Sequence, residues 1–503
     1  MLRAPGKKRG RRAAPSLKRR REGWGLSVRL VGHVTLEARA DGEIVACFDG
    51  ASVGLGTYSV VAAERAQDLR IGLPFGSFAS DGKDKDKSID KEIHPLVRRL
   101  AGHGLLEYRL GRSRNGVDQV VIEPQVPDYR PRTPPLGNAD VLVLSRFAYM
   151  RRRGNEMVLE SPRAGALFKI CDPAVATAIA MLSAPQQIKR FRRLDGFPGI
   201  ELLALLVDCR ILFKIDAAGN SGLRPDEGDD NLVLWDFHDL LFHARSTEGR
   251  HANPLGGVYP YAGVMAPLPA VRPSWPGEKI DLRNVSAAHS EEISPFANLL
   301  RERHSTRVFD DQRPITLAQL SRFLEGTTRV QSQGKSSLDL GEDSPAVEYA
   351  SRPYPSGGGS WELELYLAVD KCEGLARGFY HYDAGGHALV PIGVGTHELD
   401  ALLRGAEFAM GAPAVPQILI TIAARFGRTT WKYSSLAYAL ILKDVGVLLQ
   451  TLYLMTTEMG LGGCAIGTAN IELFAKMTGI EFHIEGPVGQ FAIGRGTKPE
   501  ASD

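Results

Sequence analysis

The chain runs to 503 residues, 44% of them hydrophobic and 24% charged, with a net charge of +3. That is the composition of an ordinary globular protein but too long for a single core, so roughly two to four domains are expected. No apolar run reads as long enough to span a bilayer, and the N-terminus lacks the apolar core of a secretory signal.

Charge is unevenly placed. Residues 1–22 hold ten Lys or Arg against one Glu, a net of +9, and taking this from +3 leaves −6 on the remainder. A tail of this kind, 1–23, is expected to be disordered, and could touch RNA, a membrane surface or an acidic partner through charge alone. The acidic remainder shows no basic aromatic stripe, so neither nucleic acid nor a membrane is the expected partner. The five cysteines (Cys47, Cys171, Cys209, Cys372, Cys464) form no CxxC pair. That argues against a structural zinc or a disulfide framework and for a reducing, cytoplasmic setting.

In chain order, residues 24–48 alternate Val28, Leu30, Val34 and Leu36 with polar positions and predict strands. Residues 76–91 predict a loop. Pro95–Leu100, a glycine stop and Leu105–Leu110 predict a helix followed by a strand. The same order recurs at Glu201–Val207 and Ile211–Ile215. Helix, break and strand end a winged-helix unit, so two tandem units are expected; the alternative is a chance likeness of two short segments. Residues 125–136 and 252–285 read as connections. Trp235–His243 predicts a helix with an aromatic face. His238 and His243, five apart, fall on different helix faces and read with His251 as local hydrogen-bonding groups, not metal ligands.

From residue 292 the texture changes. Residues 293–302 predict a helix, and Thr316 caps a second, Leu317–Leu324, with Gly326 ending it. Glu362–Val369 alternates Leu363, Leu365, Leu367 and Val369 on one face. Gly378–Tyr382, Gln417–Ala424 and Phe491–Gly494 predict further strands. Leu436–Met459 predicts a long helix apolar nearly all round, the mark of burial on several sides or of a subunit interface.

Arg303, Ser305 and Arg307 share one face of an extended segment. Two cations and a hydroxyl there make either a dianion receptor or a solvated patch, and Arg495 would add a third cation. Pro355-Ser356-Gly357-Gly358-Gly359 could hug a flat ring, or be a flexible turn. Gly460, Gly462 and Gly463 could do likewise, or cap the long helix. Cys464 beside them reads as a buried spectator. Lys432 and Tyr433 precede the long helix. They are surface residues, or a base and its helper: oxidising a C–H bond with a flavin needs hydride loss to the ring and proton loss to a base, which a partly buried lysine can be. Together these pieces describe a flavin mononucleotide (FMN) site.

Over roughly residues 140–500 the chain resembles the flavin-dependent nitroreductase superfamily, and more closely its SagB-type branch of azoline and cyanobactin oxidases. The resemblance lies in Arg303–Arg307, Arg352-Pro353-Tyr354-Pro355-Ser356-Gly357-Gly358, Gly378–Tyr382, Gly460–Gly467, the Lys432-Tyr433 pair, Trp235–Phe242 and Asn253–Gly257. It implies an α+β fold: a C-terminal nitroreductase-like domain with an antiparallel-dominated sheet flanked by helices, preceded by two winged-helix-like peptide-binding units. The expected division is a basic tail 1–23, units at 24–135 and 136–250, a Pro/Gly-rich linker 251–290 and an FMN domain 291–503. The implied activity is oxidation of thiazolines and oxazolines in a ribosomally made precursor peptide, alongside a cyclodehydratase. FMN would lie at a homodimer interface. Arg303, Ser305, Arg307 and Arg495 would take its phosphate and ribityl chain. Ser356, Gly357, Gly358 and Gly462, with Pro355 and Gly463 beside them, would take its ring. Lys432 and Tyr433 would be catalytic. Trp361 and Ala465 depart from the pattern, at positions that could reshape the substrate cleft. Two other readings stand beside this one: a nicotinamide-dependent nitroreductase or quinone reductase, and a peptide-binding scaffold with a vestigial flavin site.

Overall fold

A computed structural model describes residues 25–48, 51–75, 88–111, 117–192, 194, 197–215, 226–250, 257, 259–274, 276–282, 294–338 and 345–497. The basic tail, most of the 76–91 loop, His251 and the Asn253–Gly256 turn lie outside these residues.

The front half is built twice on one plan. Strand Gly25–Leu30 is followed by a three-strand meander (Thr35–Ala38, Glu43–Phe48, Ala51–Thr57), helix Val60–Gln67, a 3-10 turn, short strand Leu73–Pro74, helix Ser88–Gly102 and strand Leu106–Gly111. The order then repeats. Strand Val141–Leu144 leads to a meander (Tyr149–Arg153, Glu156–Glu160, Ala166–Ile170), helix Pro173–Ala180, a 3-10 turn, short strand Gln186–Gln187, helices Ile188–Phe191 and Ile200–Asp208, and strand Leu212–Ile215. In both copies the first strand lies between the short strand and the last. The helix-to-strand break is also repeated. Leu105 donates its N–H to the Leu100 carbonyl and Ile211 to that of Leu206, with Gly104 and then Arg210 at positive φ. The expected strands over 24–48 take in the first two strands of the first meander, while the second meander was not foreseen.

The copies are not separate bodies. Val120–Pro124, after the first copy, pairs with Ala166–Ile170 of the second, which completes a seven-stranded antiparallel sheet. One core runs from Val28 to Leu212. The sequence reading places a loop at 76–91, but the helix already begins at Ser88. It also puts 226–250 in the second unit. Leu232, Trp235 and Leu240 instead join the C-terminal core, where the Trp235 indole N–H donates to the His483 carbonyl.

The C-terminal half is α+β. Its six-stranded antiparallel sheet has the order Ala388–Ile392, Gly378–Asp383, Leu363–Val369, Ile418–Arg425, Glu485–Gly494, Gly462–Ile466. Leu363, Leu365, Leu367 and Val369 bury on one face, against the side that holds the long helix Ala437–Glu458. Tyr366 and Ala368 bury on the other, against helix Thr396–Met410. Helix Leu317–Thr328 starts with a capping box between Thr316 and Gln319. It runs through Gly326, where a Cβ would meet the Met455 side chain of the long helix at 2.7 Å, so that glycine serves helix contact and does not end the helix. The long helix is, by length and composition alone, able to cross a membrane, against the expectation from sequence. In this fold it packs Ile441, Leu448 and Leu452 into the core and places Asp444 on a backbone amide, as a core helix does.

Candidate functional site

Two clusters flank the long helix. The first forms around Tyr453. Its hydroxyl is 2.9 Å from the Ser305 hydroxyl and accepts the Ala465 N–H at 2.8 Å. The Arg303 guanidinium lies 5.1 Å from the Tyr453 ring centroid. Thr306 donates its N–H to the Gly463 carbonyl, which seats the segment on strand Gly462–Ile466. Among the described residues neither Arg303 nor Arg307 has a carboxylate partner. Two such cations beside a hydroxyl fit a phosphate in the chemistry of their donors.

Gly462 and Gly463 have their own local reasons. A Cβ at Gly462 would meet Thr306 at 2.6 Å, and one at Gly463 would collide with the Phe491 ring. Gly460, at φ +63, follows the long helix as its left-handed stop. Burial pushes the Cys464 thiol up, partly offset by Arg307. Arg495 is reached by the same stretch only through backbone: Asp310 donates its N–H to the Arg495 carbonyl. The Arg495 guanidinium binds the Arg313 carbonyl and the Gln319 side chain instead. It does not join the other cations.

The second cluster is the Ser356–Gly359 turn. Gly358 sits at φ +62 with Lys432 Nζ donating to its carbonyl at 2.8 Å. A Cβ there would strike the Tyr433 hydroxyl, so the close approach of Lys432 and Tyr433 depends on that glycine. Ser356 Oγ donates to Asp444 at 2.9 Å, and the Gly357 N–H donates to the same carboxylate at 2.8 Å. Trp361 closes the turn at φ 39, donating its N–H to Ser356 Oγ and its indole N–H to the Tyr354 carbonyl. Lys432 faces a cavity of about 610 Å³ walled by Tyr349, Gly358, Arg428 and Trp431. One wall is the hairpin Ser332–Ser337 and Ala346–Ser351, which the sequence reading missed.

Asp444 and Glu362 beneath the turn were also missed. A lone acid early in an apolar helix was the available signal for Asp444. His238 bonds locally, to Asp236, whereas His243, against expectation, is buried and bonds the Tyr438 hydroxyl and the Phe482 carbonyl far along the chain.

Residues 300–495 match the nitroreductase family model, and residues 142–252 match that of cyanobactin oxidase ThcOx. A Methanocaldococcus jannaschii protein named as a nitroreductase, MJ1384, is 30% identical over 192 residues, covering 37% of this chain and 85% of the relative. The chain belongs to the nitroreductase family. It is therefore an oxidoreductase of a family that typically binds flavin, and the ThcOx match bears out the resemblance to the SagB-type branch. Among solved structures, one of a Ralstonia eutropha protein described as a nitroreductase shares 23% identity at a TM-score of 0.29, covering 42% of this chain and 87% of that one. The E. coli microcin synthetase McbBCD complex, with truncated pro-MccB17 bound, shares 18% at 0.38, covering 56% and 100%. At these scores the structural likenesses add nothing to the assignment.

Proposed function

We propose that this nitroreductase-family chain is an FMN-dependent azoline dehydrogenase, oxidising thiazoline or oxazoline rings of a ribosomally made precursor peptide to thiazoles or oxazoles in the cytoplasm. The observation that carries the reading is Lys432 at the edge of a cavity, exposed to it, its Nζ donating to the Gly358 carbonyl and its neighbour Tyr433 against the same glycine. The ThcOx match over 142–252 supports a peptide as substrate. The duplicated front half would hold that peptide, and a cyclodehydratase would supply its rings.

Arg303, Ser305 and Arg307 would hold the FMN phosphate, and the Ser356–Gly358 turn would border its ring. When bound, FMN supplies a two-electron acceptor for the hydride lost from the azoline carbon. Lys432 takes the accompanying proton from the ring, and Tyr433 orients the substrate. Aromatisation favours the products, so the protein's work is alignment and proton removal.

The two clusters lie on opposite flanks of the long helix. A homodimer supports a complete site, with the cations from one copy and the Lys432 turn from the other. The decisive experiment is Lys432→Ala with FMN bound. Azole formation should fall by about a hundredfold or more; a wild-type rate would remove the base. Rapid flavin reduction by NADH or NADPH would instead favour a nitroreductase, and a colourless protein that takes up no FMN would favour a scaffold.

A further inference from the structure

Beneath the Ser356–Gly359 turn lie two acids from different elements, Glu362 at the entrance of strand Leu363–Val369 and Asp444 on the long helix. Glu362 is wholly buried and Asp444 nearly so. Ser356 bridges them: its Oγ is 2.9 Å from Asp444 Oδ2 and 3.4 Å from Glu362 Oε2. The other oxygen of Glu362, Oε1, has no hydrogen-bond partner among the described residues.

Among the described residues nothing cationic compensates the pair. Tyr354, on the approach to the turn, adds only a buried hydroxyl, on which Arg352 acts. Arg352 pairs with Glu364. Arg428 binds the Ser360 carbonyl, and Arg425 offers the backbone of Glu362 only its own N–H. Two ionised carboxylates in such a place repel each other and leave a buried oxygen unsatisfied. A single proton relieves both costs. Burial, with Asp444 adding like charge, lifts the Glu362 carboxyl to about 7. Asp444 already accepts the Gly357 N–H and the Ser356 hydroxyl, so the proton belongs on Glu362 and the charge on Asp444.

We propose that Glu362 and Asp444 act as one acid pair holding a single proton, and that this pair positions Lys432 by fixing the Ser356–Gly358 turn on which its amine rests. The chain of contacts is continuous. Asp444 holds the Gly357 amide, Gly357 leads into Gly358, and the Gly358 carbonyl receives Lys432 Nζ. Neither acid touches substrate, so both are positioning residues. The proposal rests on Lys432 being the base.

The test uses the full-length, FMN-loaded protein. Infrared spectra at neutral pH should show the carbonyl stretch of a buried, protonated carboxylic acid, lost in Glu362→Gln; its absence from the wild type would overturn the shared proton whatever the activity. With an azoline peptide, Asp444→Asn should lower kcat by about a hundredfold, the cost of misplacing a base by an ångström, while KM and flavin content change little. Glu362→Gln, which mimics the protonated acid, should retain far more of kcat than Glu362→Ala. Wild-type kcat in Asp444→Asn would overturn the positioning role. If Asp444→Asn does not fold, Ser356→Ala carries the same kcat-against-KM test. Wild-type turnover in Lys432→Ala, with the infrared band present, would instead remove the base and leave the acid pair standing.

Discussion

Asp444 and Tyr453 stand nine residues apart on the helix Ala437–Glu458, two and a half turns at 3.6 residues each, so they face opposite flanks of it. Asp444 carries the glycine turn and, through it, Lys432; Tyr453 carries Ser305 and the arginine segment. The two halves of the proposed cofactor site thus diverge within one copy.

The first prediction follows from this divergence. A chain with Arg303→Ala and Arg307→Ala should lose flavin, and a Lys432→Ala chain should lose turnover. Mixed after reversible dissociation, the two should regain about a quarter of wild-type activity, since half the dimers are mixed and each holds one intact site of two. Failure of the mixture to regain any activity would place both clusters in one subunit's site.

Gly358→Ala and Gly462→Ala should fail differently. At Gly358 an added methyl strikes Tyr433 and a non-glycine residue must adopt φ +62, which costs about 1–2 kcal/mol. Turnover per bound flavin should drop sharply. At Gly462 the methyl presses on Thr306, between Ser305 and Arg307, so retained flavin should fall first. Flavin absorbance per protein, measured beside kcat, separates the two.

Stability should be bounded on both sides in pH. Glu362, lifted from 4.5 to about 7, holds its proton in the fold after the unfolded chain has released it. Its contribution is full below about pH 4.5 and is lost as pH rises toward 7. His243 has the opposite sign: burial holds its imidazole down to about 3 from 6.5. Its contribution is full above about pH 6.5 and is lost as pH falls toward 3. The melting temperature should therefore decline on each side of a maximum near pH 5–6, and Glu362→Gln should flatten the alkaline side. An unchanged alkaline limb in that variant would count against the lifted acid.

A chain starting at residue 226 should keep its flavin and lose affinity for the precursor peptide. One starting at 251 should not fold, because Leu232, Trp235 and Leu240 leave the C-terminal core with it. Trp235→Ala alone should cost about 3–5 kcal/mol. Thermal melts and flavin content of the truncations check this directly.

Local pattern carried much of this protein into view. The alternation of Leu363, Leu365, Leu367 and Val369 named the buried face of a central strand, and the segment that carries Arg303, Ser305 and Arg307 is seated on Gly463 through the Thr306 N–H. What stayed hidden depends on partners distant in sequence. Glu362 and Asp444 are 82 positions apart and carry no motif. Arg495 ends an apolar strand as expected, yet its side chain is drawn to Gln319 by a helix cap that spacing does not reveal. Gly326 looked like a helix stop because the Met455 side chain it accommodates belongs to another helix.

The strand pairing of Val120–Pro124 with Ala166–Ile170 stitches the duplicated halves edge to edge. Neither repeat can be excised or exchanged between relatives without baring the flank of the other, so the pair must be inherited, and engineered, as a single cassette.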